Sequence, residues 1–465
     1  MRDFLAVALS VALPWLAGTA CVLALQRGAE RRDFAVAVGY GYLLGALATT
    51  LVMRGLDTAA VRWTQALIAV PLVALAALAG WFGCRPFPPL AAEWRQSRDR
   101  VAALSSSQRA LLWICLALIA VRLAGLGLEL AWRPLLPWDT WAQWATKAKV
   151  WYAYGSLTAF VDPAQWLATG TPMQFVDAHS EYPATVPLLQ VWTALNLGRW
   201  DESLINAPWL ALLCSLGIAF YAQLRRIGVG LAEAMLVTYL LLSIPFIDLH
   251  VAVAGYVDIF IAAAYGLAAM ALWRWTRTRR RADAALALLG AVACIAIKKE
   301  GIVWALTLLP PVLVAIDRRL GLRVAAALGA ATLLYLAFGP AEVTVLGYTL
   351  RTQFANVSQP LFEHFFEMDN WHLLWYLALA VVTLRVRVLL SAALAPMTVA
   401  MAGAFAFVFI VFFFSSAAGG VADETLVNRL PLQLVPALAF YLVLLWREAP
   451  EPANDAATAA ARPAA

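Results

Sequence analysis

Charge is what this chain of 465 residues has least of: Asp, Glu, Lys and Arg make up 13% of it, against about 25% in a soluble domain. That scarcity excludes a water-soluble enzyme, as does a hydrophobic content of 63% where soluble domains run near 45–50%. Cysteine is scarce too. Cys21, Cys84, Cys115, Cys214 and Cys294 are isolated and lie mostly inside apolar runs, so neither a disulfide framework nor a zinc site is indicated. The chain has no Cys/His cluster, Walker-type loop or GxGxxG turn, so no bound metal and no cofactor is expected, although the chemistry leaves room for a divalent metal. Its net charge of +6 comes from short basic clusters between apolar runs. Such clusters are topology signals, and no nucleic acid is expected as a partner.

What is present is apolar sequence, with a mean hydropathy of +0.76. This implies an all-α polytopic membrane protein with about thirteen transmembrane helices. The candidate spans are residues 4–25, 34–53, 64–83, 110–131, 204–224, 231–249, 258–273, 283–297, 301–316, 324–339, 372–384, 388–414 and 431–446. Residues 1–25 read as a span rather than a cleaved leader, because the apolar stretch is long and no A-x-A-like site follows. Residues 184–197 are apolar but short, and are expected to lie at the interface or dip into it. Residues 448–465, rich in Ala and Pro, are expected to be disordered.

Placing residues 26–33, 84–109, 225–230, 274–282, 317–323, 385–387 and the C-terminus on one side collects 22 of the 34 basic residues. That side is expected to be cytoplasmic. The loop 132–186 then faces outward and carries amphipathic juxtamembrane helices. Four regions follow: N-terminal helices (1–109), a central module (110–316), C-terminal helices (317–447) and the tail (448–465).

The unusual polar residues all map to the outer face. The stretch PWDTWAQWATKAKVWYAYG carries Asp139 where a helix would begin, a position at which an acidic residue commonly caps. At α-helical spacing Gln143 and Lys147 share its face, while Trp138, Trp141 and Trp144 form an apolar face for the membrane surface. A carboxylate at the water boundary beside Lys147 and Lys149 suits proton removal from an acceptor hydroxyl or amine. The segment AIKKEGIVW interrupts an apolar hairpin with Lys298, Lys299 and Glu300, and charges in such a place are paired or functional. Asp258 in AGYVDIF and Arg429 in ETLVNRLPL map to outer helix ends. Arg122 and Glu129, seven apart in one span, are expected to pair within the bundle.

In their order these pieces resemble the C-type (GT-C) family of integral-membrane glycosyltransferases, which includes the protein O-mannosyltransferases and the aminoarabinose transferases of lipid A. WDTWAQWATKAKVWYAYG matches the acidic opening of the family's outer loop, HSEYPATVPLLQVW its Pro re-entry, GYVDIF the next Asp element and IKKEG the lysine turn, over residues 110–316. The resemblance implies transfer of a sugar from a polyprenyl-phosphate donor, reached through membrane lipid, to an envelope glycan, lipid or protein acceptor. This would occur at the periplasmic face of a bacterial-type inner membrane. It implies Asp139 as catalytic base, Lys298, Lys299 and Arg429 at the donor phosphate, and Trp138, Gln143, Lys147, His179, Glu181, Tyr182, Asp258 and Glu300 lining the substrates. Two departures stand out. Thr140, not a second acid, follows Asp139, and Tyr182, not lysine, precedes Pro183. A secondary transporter or lipid flippase, or a scaffold subunit of an envelope polysaccharide assembly complex, would also accommodate intramembrane charges.

Overall fold

The structure, a computed structural model, describes residues 1–28, 33–83, 90–169, 174–345 and 348–448. The tail expected to be disordered lies outside these residues beyond Glu448, as does Cys84. The first helices are α1 (Arg2–Leu25), α2 (Phe34–Thr58), α3 (Gln65–Gly83), α4 (Leu90–Ala102), α5 (Ser106–Trp132), α6 (Ala145–Tyr154), α7 (Pro163–Thr169) and α8 (Thr185–Leu197). Next come α9 (Ala207–Arg226), α10 (Leu231–Leu242), α11 (Pro245–Ala252), α12 (Asp258–Thr278), α13 (Arg281–Ile297), α14 (Gly301–Thr307), α15 (Leu309–Ile316) and α16 (Arg318–Phe338). The last are α17 (Ser358–Phe362), α18 (Leu374–Leu384), α19 (Ala395–Phe413), α20 (Ala418–Ala422), α21 (Arg429–Leu432) and α22 (Val435–Arg447). Two small strand pairs complete the fold. β1 (Phe160–Val161) runs parallel to β2 (Phe175–Val176), and β3 (Glu342–Val345) pairs antiparallel with β4 (Tyr348–Arg351).

The chain is an all-α polytopic membrane protein, but the expected count of about thirteen spans is not reached on length and composition. Among the described residues eight helices are long and apolar enough to cross a membrane, and nine if the bent pair α10 and α11 forms one span. The expected segments do fall on helices. However, α18 and α22 have only 11 and 13 residues, and residues 301–316 are split at Leu308, just before Pro310 and Pro311. Proline lacks an N–H and clashes with the preceding turn, which ends the first piece. Proline also marks the bend of 60° between α10 and α11: Ile244, before Pro245, is extended at φ −60° and ψ 121°.

Arg122 of α5 does not pair with Glu129. It reaches Asp248 on α11, while Glu129 pairs with Arg133 at 2.6 Å, one turn away at the helix end. A partner on a neighbouring helix neutralises Arg122 in lipid, where a charge seven residues away on its own helix lies two turns off.

The first two helices cross in close contact because small residues face each other. A Cβ on Gly45 would stand 1.7 Å from the Pro14 carbonyl oxygen, and one on Gly18 would stand 1.9 Å from that of Gly41. Helix α12 is the centre of the molecule, packed among α9, α13 and α22 and buried along almost its whole length. Helix α8 departs from expectation. Its side chains are buried in protein rather than laid on lipid, and both of its ends meet the same end of the bundle: Thr185 donates to Ala296 O, and Arg199, just past the helix, pairs with Asp3. It lies across the bundle without traversing it.

The connections gather in two groups. At one end Arg226 pairs with Asp33 and Asp283 at 3.0 and 3.1 Å, Arg385 donates to carbonyls at the end of α22, and Arg318 donates to Leu390 O. At the other end the segments 132–186, 253–257, 298–300, 340–371 and 415–430 come together.

Candidate active site

Asp139 follows Pro137, and the chain turns immediately into a wide π-type turn over Thr140–Trp144 before α6. The Asp139 carboxylate makes no capping hydrogen bond. It accepts instead from Arg429, Nη1 to Oδ2 at 2.8 Å. The other edge of the same guanidinium donates from Nε to Asp258 Oδ2 at 3.0 Å, and its central carbon lies 4.5 Å from the centre of the Tyr256 ring. Asp258, the first residue of α12, accepts from Lys298 at 2.9 Å and from Gln433 Nε2 at 2.8 Å on its second oxygen. Lys298 also pairs with Glu300 Oε1 at 2.6 Å. Behind Gln433, Trp304 Nε1 donates to its side-chain oxygen. Five charges from four segments thus form one chain: Asp139, Arg429, Asp258, Lys298 and Glu300.

Exposure falls from 24% for the Asp139 side chain and 18% for Arg429 to 0% for Asp258 at the middle of the array, and Lys298 and Glu300 beyond it are buried. Burial works against the cations of Arg429 and Lys298. The carboxylates beside them outweigh it, Asp258 and Asp139 for the former and Asp258 and Glu300 for the latter, so both titrate above their ordinary ranges and stay charged. Several buried polar atoms around the array lack a partner: Thr140 Oγ1, Gln143 Oε1, Trp144 Nε1 and Glu300 Oε2.

A second group flanks the first. Tyr182 stacks on Trp144 with ring centres 5.1 Å apart, and its hydroxyl lies 3.3 Å from that of Tyr348 on β4. Burial, with the charge of Glu300 adding to it, pushes the Tyr182 phenol well above its ordinary value and keeps it neutral. Lys299 pairs with Glu181 at 2.7 Å and stands over the Tyr182 ring. Burial works upward on the Glu181 carboxyl, and the Lys299 hydrogen bond outweighs it, so the group titrates below its usual range.

Several expectations need correction. Lys147 is not beside Asp139: it is buried against Asp177 at 2.5 Å and donates to His179 O, and burial, only partly offset by Asp177, lowers its basicity. Lys149 is exposed and faces Glu202. The wide turn over Thr140–Trp144 changes the angular register, so α-helical spacing does not carry from Asp139 to Lys147. Trp138 and Trp141 are exposed and meet edge to face, whereas Trp144 is 1% exposed. Gln143 is buried. His179 packs on Tyr182, 5.0 Å between rings. Lys298 and Lys299 point apart because Lys298 is extended, at φ −149° and ψ 155°, where successive side chains alternate. All three cations of the phosphate group expected are paired with carboxylates, and Arg429 and Lys299 are more exposed than Lys298.

Tyr256, Gln433, Trp304 and Tyr348 belong to the site but carry no sequence signal, since an aromatic or amide residue in an apolar chain has many ordinary uses; Asp177, the partner of Lys147, was missed although it is a charge in an apolar chain. Gly255 could have been found. Its φ of +126° suits only glycine, and a Cβ there would stand 2.1 Å from Thr140 Oγ1. Among the described residues no three His, Cys, Asp or Glu side chains gather to hold a metal ion. Compared with known proteins, the chain matches no family model, no curated protein and no solved structure.

Proposed function

We propose that the protein is a membrane glycosyltransferase that moves a sugar from a polyprenyl-phosphate donor to an acceptor on the outer, periplasmic side of the membrane. The observation that carries this reading is the charge array from Asp139 to Glu300: one accessible carboxylate held by an arginine, itself anchored on a carboxylate sealed from solvent. Asp139 accepts the proton of the acceptor hydroxyl as its oxygen attacks the anomeric carbon. The bond from that carbon to the phosphate oxygen breaks, and the phosphate leaves with the electron pair. Arg429, with Lys299 on the accessible side, stabilises the departing charge. Asp258 fixes Arg429 and is itself held by Lys298, which pairs with Glu300.

The test is release of polyprenyl phosphate from labelled polyprenyl-phosphate sugars by the protein in lipid nanodiscs. Wild type should release it and pass label to an added envelope acceptor, and Asp139→Asn should do neither. Equal release by Asp139→Asn would remove Asp139 as the base. A second reading, as a transporter or flippase, is favoured by the broken helix α10–α11 and its ion pair to Arg122. Movement of labelled lipid across the bilayer without bond cleavage would support it.

A further inference from the structure

An apolar groove of about 580 Å³ opens along the side of the bundle between α1, α2 and α13, within the roughly 300–1,000 Å³ range of ligand clefts. Its walls are aliphatic: Leu44, Leu47, Leu51, Leu289 and Val292. At the end where Pro183 and Thr185 close it stands Arg54, half-buried. The guanidinium reaches Thr185 Oγ1 at 3.5 Å and, among the described residues, no carboxylate. An arginine left without a counter-charge in lipid surroundings is costly, and a phosphate is its natural partner.

We propose that this groove holds a diacyl phospholipid of the surrounding bilayer, one chain lying between α1, α2 and α13 and the phosphate bound by Arg54. Charge selects the head. A phosphodiester carries one negative charge and matches one guanidinium, whereas a phosphate monoester carries about −1.5 to −2 and would remain under-compensated. The other lining residues at that end, Pro183 and Thr185, offer no set of donors for a sugar. Thr185 already donates to Ala296 O, so the lipid head braces the turn that begins α8, next to Tyr182. The second chain lies in the bilayer beside the groove. Helices α1 and α2 of this site lie outside the glycosyltransferase resemblance, and the proposal stands without that reading, because lipid retention is measured without turnover.

The experiment is native mass spectrometry of the full-length protein in detergent with phosphatidylglycerol, with a diacylglycerol of the same chains, and with a polyprenyl monophosphate as competitor. Wild type should retain one phosphatidylglycerol about tenfold more strongly than diacylglycerol, a difference of about 1.4 kcal/mol. Arg54→Gln should lose that preference, Arg54→Lys should keep part of it, and Val292→Trp, at an exposed position on the groove wall, should weaken retention of both lipids. Equal retention by Arg54→Gln, or by Val292→Trp, would overturn the site. Displacement by an equimolar polyprenyl monophosphate would overturn this occupant and hand the groove to the donor's tail.

Discussion

Asp258 accepts from Arg429, Lys298 and Gln433 while sealed from solvent, so its charge balances two cations. Asp258→Asn should therefore destabilise the protein by about 3–5 kcal/mol, the scale of breaking a buried pair, seen as a lower unfolding midpoint in detergent. Asp139→Asn, at the accessible end, should cost about 1 kcal/mol or less while abolishing turnover. Similar losses of stability would instead make Asp139 a structural member of the array. Glu181 gives a pH test. Its folded-state value is depressed by Lys299, so the pair's contribution is present above the ordinary glutamate value of about 4.3 and is lost as pH falls through the lowered one. Wild type and Glu181→Gln should differ slightly in unfolding temperature at neutral pH and converge below about pH 4. A constant difference would show that the pair is not responsible. Asp139, Asp258, Lys298, Glu300 and Arg429 were legible because charges in an apolar chain need partners. Which partner each takes was not: nothing in the IKKEG stretch says which lysine turns inward.

The loop before α12 and the turn after Asp139 are locked together at Gly255. Gly255→Ala would force a left-handed backbone on a residue with a Cβ and drive that Cβ into Thr140. Turnover should fall at least tenfold, with a cost in stability of about 1–3 kcal/mol; unchanged kinetics would show that the two loops move independently. The broken helix makes a second test. Arg122→Leu leaves Asp248 unpaired and should cost about 3–5 kcal/mol, whereas Arg122→Leu with Asp248→Leu should recover most of it. Failure of the double variant to recover would mean that the pair does not hold α5 to α11. Helix positions were legible from apolar runs. The breaks at Pro245 and after Leu308 were visible as prolines but not as angles, and the short length of residues 184–197 could not tell a helix on lipid from one inside protein.

Across the whole molecule the two groups of connections define opposite ends, and the basic clusters announced that partition because short cytoplasmic loops collect Lys and Arg. An impermeant thiol label should reach a single cysteine placed at the exposed Lys149 from the side opposite to one placed at Arg323, which is also exposed. Labelling of both from one side would overturn the topology. Pairings across the bundle, such as Arg429 with Asp258 over a separation of 171 residues, have no local signature. That separation also bears on biogenesis. Asp139 and Asp258 are both made well before Arg429, with several membrane helices in between. A nascent chain therefore carries the two carboxylates for a time without the guanidinium that joins them.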